Sequence, residues 1–225
     1  MQRHFDDELQ HLKEQLLLMG GYVETAVDKS IRALTERNSD LALEVIVEDK
    51  LVDSLEIEVD NICLRLLALY QPTAADLRFI TASILINNNL ERMADQAVNI
   101  AERVAELNEL PILKPYIDIP RMSNIAQSMT QDSLDAFVQK DVAKAREVMA
   151  RDNQLDMLNN QIFRELLTYM MSEPSTITRA VNLILISRNL ERIGDHATNI
   201  SEEVIFMVEG SVVKHSGINS SHQGA

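Results

Sequence analysis

The residues best suited to chemistry in this sequence are carboxylates, spaced four apart and used repeatedly. Asp49 with Asp53, Glu91 with Asp95, Asp152 with Asp156 and Glu191 with Asp195 form four Asp/Glu-x-x-x-Asp pairs. On a helix this spacing puts both members on one face. Asn99 and Glu102 extend the stripe begun by Glu91 and Asp95, and Asn199 and Glu202 extend the one begun by Glu191 and Asp195; at ~100° per residue each set spans only ~80°. Leu90, Ala94, Ala97, Ala101 and Val104 occupy the neighbouring sector, so the acids border the core face. Two carboxylates ~6 Å apart repel by ~3 kcal/mol at an effective dielectric near ~20. Raised carboxyl pKa values, the adjacent Arg92 and Arg192, or a bound cation with oxygen ligands could relieve that repulsion. Mg²⁺, Mn²⁺, Ca²⁺, Zn²⁺ or iron are the candidate ions. A solvated acidic flank balanced by arginine is the plain alternative.

The stripes are copies of one another. Asn89-Leu90-Glu91-Arg92 through Val104 returns as Asn189-Leu190-Glu191-Arg192 through Val204 at an offset of 100, with ten of sixteen positions identical. Unrelated stretches would share about one. Polar residues are kept in register along with the apolar ones, so the repeat preserves chemistry as well as packing. Duplication of both acidic pairs favours a cation site over a solvated flank.

The elements that must position these residues read as helices. Predicted spans are Asp6 to Arg37, Leu41 to Leu69, Thr73 to Leu107, Arg121 to Gln139, Val142 to Met171 and Ser175 to Val208, with Asp40 and Asp141 as N-cap candidates and Pro72 and Pro174 marking turns. Short connections make successive helices antiparallel, giving an all-α protein of two tandem, internally duplicated three-helix bundles. The expected divisions are residues 1–108 and 121–209 for the bundles, a Pro-rich linker over 109–120, and a flexible tail over 210–225. Gly20-Gly21 within the first helix suggests a kink or a close helix approach. Counting from the turns near Gln71 and Glu173 sets Asp49/Asp53 within a helical turn of Glu91/Asp95. It does the same for Asp152/Asp156 and Glu191/Asp195.

Composition excludes several functions. A net charge of −14 without a Lys/Arg cluster argues against nucleic-acid binding. The single Cys63 cannot form an internal disulfide, the N-terminus lacks an apolar signal core, and no apolar run reaches membrane-spanning length, so a cytoplasmic setting is expected. Any membrane connection would come through a partner. Glu8-Leu9-Gln10-His11 has the Glu-x-x-His spacing of di-metal bundle enzymes, but no second copy occurs. His196 replaces Gln96 and points away from the acid stripe, which predicts exposure. Cys63 and the helical Met19, Met149 and Met157 read as core filler. No Gly-rich phosphate loop, nucleophile elbow or zinc-type Cys/His set is present, so no catalytic residue is assigned.

The doubled Asn-Leu-Glu-Arg-x-x-Asp-x-Ala-x-Asn-Ile, its upstream Asp-x-x-x-Asp partners, the loop Gln71-Pro72-Thr73-Ala74-Ala75-Asp76-Leu77-Arg78 and the ending Val208-Glu209-Gly210 together resemble the PhoU family. The resemblance runs nearly the whole length. It implies a homodimer with multinuclear metal sites, whose ligands would be Asp49, Asp53, Glu91, Asp95 and Asn99 in the first half and Asp152, Asp156, Glu191, Asp195 and Asn199 in the second. It implies a non-enzymatic, cytoplasmic negative regulator of phosphate uptake and of the phosphate-starvation response. Such a regulator links the ATPase subunit of the phosphate ABC transporter to a sensor histidine kinase. The second turn, Ser172 to Arg179, does not repeat the Asp-Leu-Arg of the first, so any partner contact made by Asp76 and Arg78 belongs to the first half alone. A carboxylate-bridged di-metal enzyme and a metal-free structural dimer are the rival readings.

Overall fold

The computed structural model describes residues 2–210. They form six long helices: α1 Gln2–Thr35, α2 Ser39–Tyr70, α3 Ala74–Asn108, α4 Asp118–Gln139, α5 Val142–Ser172 and α6 Ile177–Glu209, with no strand among the described residues. The all-α, internally duplicated architecture is therefore the one the sequence predicts. The tail expected beyond Gly210 lies outside the described residues.

Local chemistry sets the helix ends and corrects several of them. Arg37 takes a left-handed turn at φ 54°. This leaves Asn38 extended, so that Asn38 and not Asp40 caps α2; its Oδ1 accepts from the N–H groups of Asp40 and Leu41 at 3.0 and 3.4 Å. Asp141 caps α5 as expected, its carboxylate accepting from Lys144 N at 3.0 Å. α4 starts at Asp118, ahead of the expected Arg121. Pro120 thus sits in its first turn, where the missing N–H leaves no hydrogen bond unmade. In the second half Pro174–Thr176 forms a 3₁₀ turn, delaying α6 to Ile177.

The two central helices decide the rest. α3 packs on α6, with Asn89 against His196, Glu106 against Asn182 and Arg78 against Met207. As the residue number rises along one helix it falls along the other, so α3 and α6 are antiparallel. α2 lies beside α3 and α5 beside α6, while α1 and α4, which touch each other, pack behind. The result is a front layer in the order α2, α3, α6, α5 over a back layer of α1 and α4.

A single core runs through both halves, from Leu12, Leu16 and Met19 of α1 to Ile193, Ala197 and Val204 of α6. Cys63 and Met19 are buried in it as expected, and Met149 packs against it, but Met157 is 66% exposed and is not core filler. Its position on α5 faces water, so the helical periodicity overrides side-chain type there.

The paired glycines of α1 behave differently from each other. A Cβ at Gly20 would run into Leu134 of α4, whereas one at Gly21 would meet open space. Gly20 thus marks a close approach of the back-layer helices. Gly21→Ala is expected to raise thermal stability by ~0.5–1 kcal/mol through helix propensity, while Gly20→Val lowers it by ~1–3 kcal/mol by overpacking against Leu134. Thermal unfolding of the two variants checks both.

Candidate metal centres in two acidic seams

Each repeat helix presents its acids toward the outer helix of its own half. Over residues 91–100 and 191–200 burial follows the same order position by position: Glu half-buried, Arg exposed, two residues buried, Asp exposed. The predicted pairs do meet across the α2/α3 and α5/α6 seams. Asp49 is pushed above the ordinary carboxylate range, first by burial, then by Asp53 of its own helix and Asp95 of the facing one. Burial also raises Glu91, with Asp95, Glu56 and Asp53 adding and Arg92 opposing.

The second seam repeats the arrangement. Asp152 is raised by burial and by Asp156. Glu191 is raised by burial, then by Asp156 and Asp152, against Arg188 and Arg192. Asp195 is pushed up to about 6 by burial and then by Glu191, Asp152 and Asp156, with Arg192 opposing. The repulsion inferred from spacing is therefore present, and the arginines relieve it only in part.

The donors suit a hard cation. All are oxygens, and the buried Oδ1 of Asp152 has no hydrogen-bond partner. A buried carboxylate oxygen left unpaired is costly unless something supplies positive charge. Among the described residues no three His, Cys, Asp or Glu side chains are already gathered closely enough to enclose an ion. A cation would have to draw these side chains inward by rotamer changes. Asn99 and Asn199 are exposed beside the seams, with Asn199 Nδ2 donating to Asn89 Oδ1 at 3.4 Å.

Glu56 belongs to the first seam and was not singled out from the sequence. It is half-buried and raised by burial, then by Asp60, Asp53 and Asp95. Its signal was its spacing of three from Asp53. Behind it, the buried Asn87 donates to Glu56 O at 3.0 Å and to Asp60 Oδ1 at 3.1 Å. The equivalent in the second half is Ser187, which donates to Asn159 Oδ1 at 2.9 Å.

Two further residues depart from expectation. His196 is not exposed: it is half-buried between α3 and α6, with Nδ1 3.0 Å from Asn89 Oδ1. Burial, Arg92 and Arg192 push its pKa down to about 4, so the ring is neutral and the amide oxygen accepts a proton carried on Nδ1. Arg78 is turned inward, donating from Nε to Met207 O at 3.2 Å near the C-terminal end of α6, where a cation complements the free carbonyls. Asp76 accepts from Thr73 Oγ1 at 3.2 Å at the start of α3. Glu8 pairs with Arg65, and His11 lies 3.8 Å from Glu58, so the two residues of the Glu-x-x-His element face separate partners on α2.

Comparison with known proteins fits this duplicated geometry. Residues 16–104 and 119–204 each match the family model described as the PhoU domain. The chain belongs to the PhoU family. A protein from Aquifex aeolicus named "Phosphate-specific transport system accessory protein PhoU homolog" is 45% identical over 94% of this chain and 96% of its own length. A Thermotoga maritima protein named homolog 2 of the same accessory protein is 37% identical over 95% of this chain and 91% of its own. The crystal structure of PhoU from Pseudomonas aeruginosa superposes with a TM-score of 0.89 at 39% identity, covering 92% of this chain and 100% of that one. That of the phosphate transport system regulatory protein PhoU from Streptococcus pneumoniae gives 0.86 at 29% identity, covering 93% and 99%. The family fold thus extends through α1 to α6.

The seam carboxyls predict a pH dependence. Asp195 has a folded pKa of about 6, against ~3.9 unfolded. Folding therefore takes up a proton between those values, and the metal-free protein gains stability as pH falls from ~6 to ~4 and carries the full penalty above ~6. Asp195→Asn should stabilise the metal-free protein near neutral pH by on the order of 1 kcal/mol, allowing for solvent screening of a partly exposed group. It should also flatten the rise toward acid. Thermal unfolding from pH 4 to 8 measures both effects.

Proposed function

We propose that this chain is a metal-binding regulatory adaptor of phosphate transport. It joins the ATPase subunit of the phosphate ABC transporter to the sensor histidine kinase of the phosphate-starvation response. In phosphate-replete cells it would hold the kinase from activating its response regulator, lowering both the response and phosphate uptake. The family membership and the accessory or regulatory names of its relatives support the role in phosphate transport. The observation that carries the metal reading is the pair of equivalent acidic seams, with carboxyls raised by their own neighbours and one buried Asp152 oxygen unpartnered.

In this reading Asp49, Asp53, Glu91, Asp95 and Asn99 hold metal in the first half, joined by Glu56, and Asp152, Asp156, Glu191, Asp195 and Asn199 hold it in the second. The ion supplies positive charge and a crosslink between neighbouring helices. The protein's residues do the rest: Asp49 and Asp152 reach in from the outer helices, Glu91 and Glu191 from the central ones, and Arg92 and Arg192 trim the excess charge. The role is regulatory and not catalytic, because the polar groups of the seams are themselves the ligands. No described helix is long and apolar enough to cross a membrane, so a membrane partner would be met from the outside. A homodimer working beside the membrane in the cytoplasm completes the proposal.

Two measurements test it. Protein purified without added metal should carry metal that Asp95→Asn combined with Asp195→Asn removes by at least half; negligible metal in both proteins rejects the site. The full chain should capture the purified transporter ATPase and the cytoplasmic part of the kinase. Binding of neither, together with turnover of a small substrate, rejects the adaptor in favour of an enzyme.

A further inference from the structure

Between the two acidic seams, the centre of the front layer is basic and amide-rich. Arg92 and Arg192 occupy the same position of the repeat, and the antiparallel register set by Asn89 against His196 brings them abreast across the α3/α6 line. Both are exposed, and both guanidiniums act on the imidazole of His196 lying between the helices. Among the described residues neither is within ion-pair distance of a carboxylate, although Arg92 acts at longer range on Glu91, and Arg192 on Glu191 and Asp195. Two like charges held abreast in a chain of net charge −14, with carboxylates on either side, are an unusual arrangement unless a small anion belongs between them.

The surroundings supply the remaining parts of such a site. Arg92 opens into a hollow of about 410 Å³ lined also by Leu85, Asn88, Asn89, Asn199, Glu202 and Glu203, within the range of small-ligand sites. Asn88 and Asn89 each spend one amide hydrogen on their own helix, donating to Ile84 O at 3.0 Å and Leu85 O at 2.8 Å, and keep the second as a neutral donor. Asn89 is held in place by His196, whose neutral ring fixes the amide without adding charge. Paired guanidinium forks supplemented by amide N–H groups are the donor types that suit a tetrahedral oxyanion. Glu202 and the buried Glu203 line the same hollow and exclude an anion from their own part, so the ligand must sit at the arginine end.

We infer that Arg92 and Arg192 form a clamp for a phosphoryl oxyanion, either free phosphate or the phosphate of a small nucleotide, with Asn88 and Asn89 as neutral donors. The flanking seam carboxylates oppose a dianion through space, so cations in the seams strengthen its binding. That enhancement rests on the metal-bearing function proposed above; the arginine clamp itself does not.

Equilibrium dialysis of the full chain against radiolabelled inorganic phosphate, and separately against AMP, tests the clamp with Mg²⁺ present and after chelation. Saturable uptake of phosphate assigns free anion, and uptake of AMP alone assigns a nucleotide. In either case Arg92→Gln with Arg192→Gln should weaken binding by ~tenfold or more, as loss of charge-assisted contacts requires, and Arg92→Gln alone by less. Helical content should be unchanged, because both arginines are exposed, and bound Mg²⁺ should not fall, because removing positive charge beside the seam carboxylates favours a cation there. No saturable uptake of either compound overturns the inference. Uptake that survives the double substitution also overturns it, since the anion would then sit on the seam metal. Absence of Mg²⁺ from wild-type protein counts against the metal reading and leaves the phosphate result in chelated protein to decide the clamp.

Discussion

The antiparallel contact of α3 on α6 is the constraint from which the front face follows. Because the two helices are copies, turning one against the other creates an approximate two-fold axis within a single chain. Equivalent residues then appear at mirrored distances from that axis. The small residues Ala94, Ala97, Gly194 and Ala197 are all buried, which lets helices approach each repeat closely. A Cβ at Gly194 would collide with Leu155 of α5, so the second seam is as narrow as it is because that position is glycine. Narrow seams keep the carboxyls near one another and partly out of water, and both conditions raise their pKa values.

The energetic consequence is a face whose charges are locally unbalanced and globally ordered. The acids are placed along two outer lines, the arginines near the middle, and the apolar residues behind. Burial leads among the causes that raise Asp49, Glu91, Asp152, Glu191 and Asp195, ahead of any single neighbour. Desolvation at the core margin is therefore the largest single contribution to the cost of the seams. A fold that retains such costs twice keeps them where a ligand can offset them, since structural stability alone would favour apolar or neutral residues there.

Much of this was legible in the sequence because it depends on periodicity. The six helices, the antiparallel hairpins and the meeting of Asp49/Asp53 with Glu91/Asp95 follow from spacing of four and short turns. What spacing could not show was the relation between the halves. Nothing local encodes that α3 faces α6, so His196 read as an exposed residue when it is half-buried against Asn89. Nor does anything local show that Arg78, considered above only for a partner contact, donates within the chain to Met207 O, 129 positions away. Asn38 displaced Asp40 as the cap of α2 because the preceding Arg37 adopts a left-handed turn, a backbone choice that composition does not announce.

The duplication is least faithful in charge, and that bears on how the two seams divide their work. On the first side Asp60 and Glu56 stand behind Asp53, and Asn88 occupies the position before the repeat. On the second side Asn159 replaces Glu56, Phe163 replaces Asp60, and Arg188 replaces Asn88 and opposes the rise in the Glu191 pKa. The first seam is thus the more negative and should attract the greater cationic charge, while the second is partly balanced by its own arginines. Asn87 and Ser187 keep the two geometries alike beneath this difference, each donating to a group on the outer helix. If the seams hold cations as proposed, two sites of one shape and unequal charge would fill in sequence as cation concentration rises, and a single chain would have a graded response that a perfect repeat would lack.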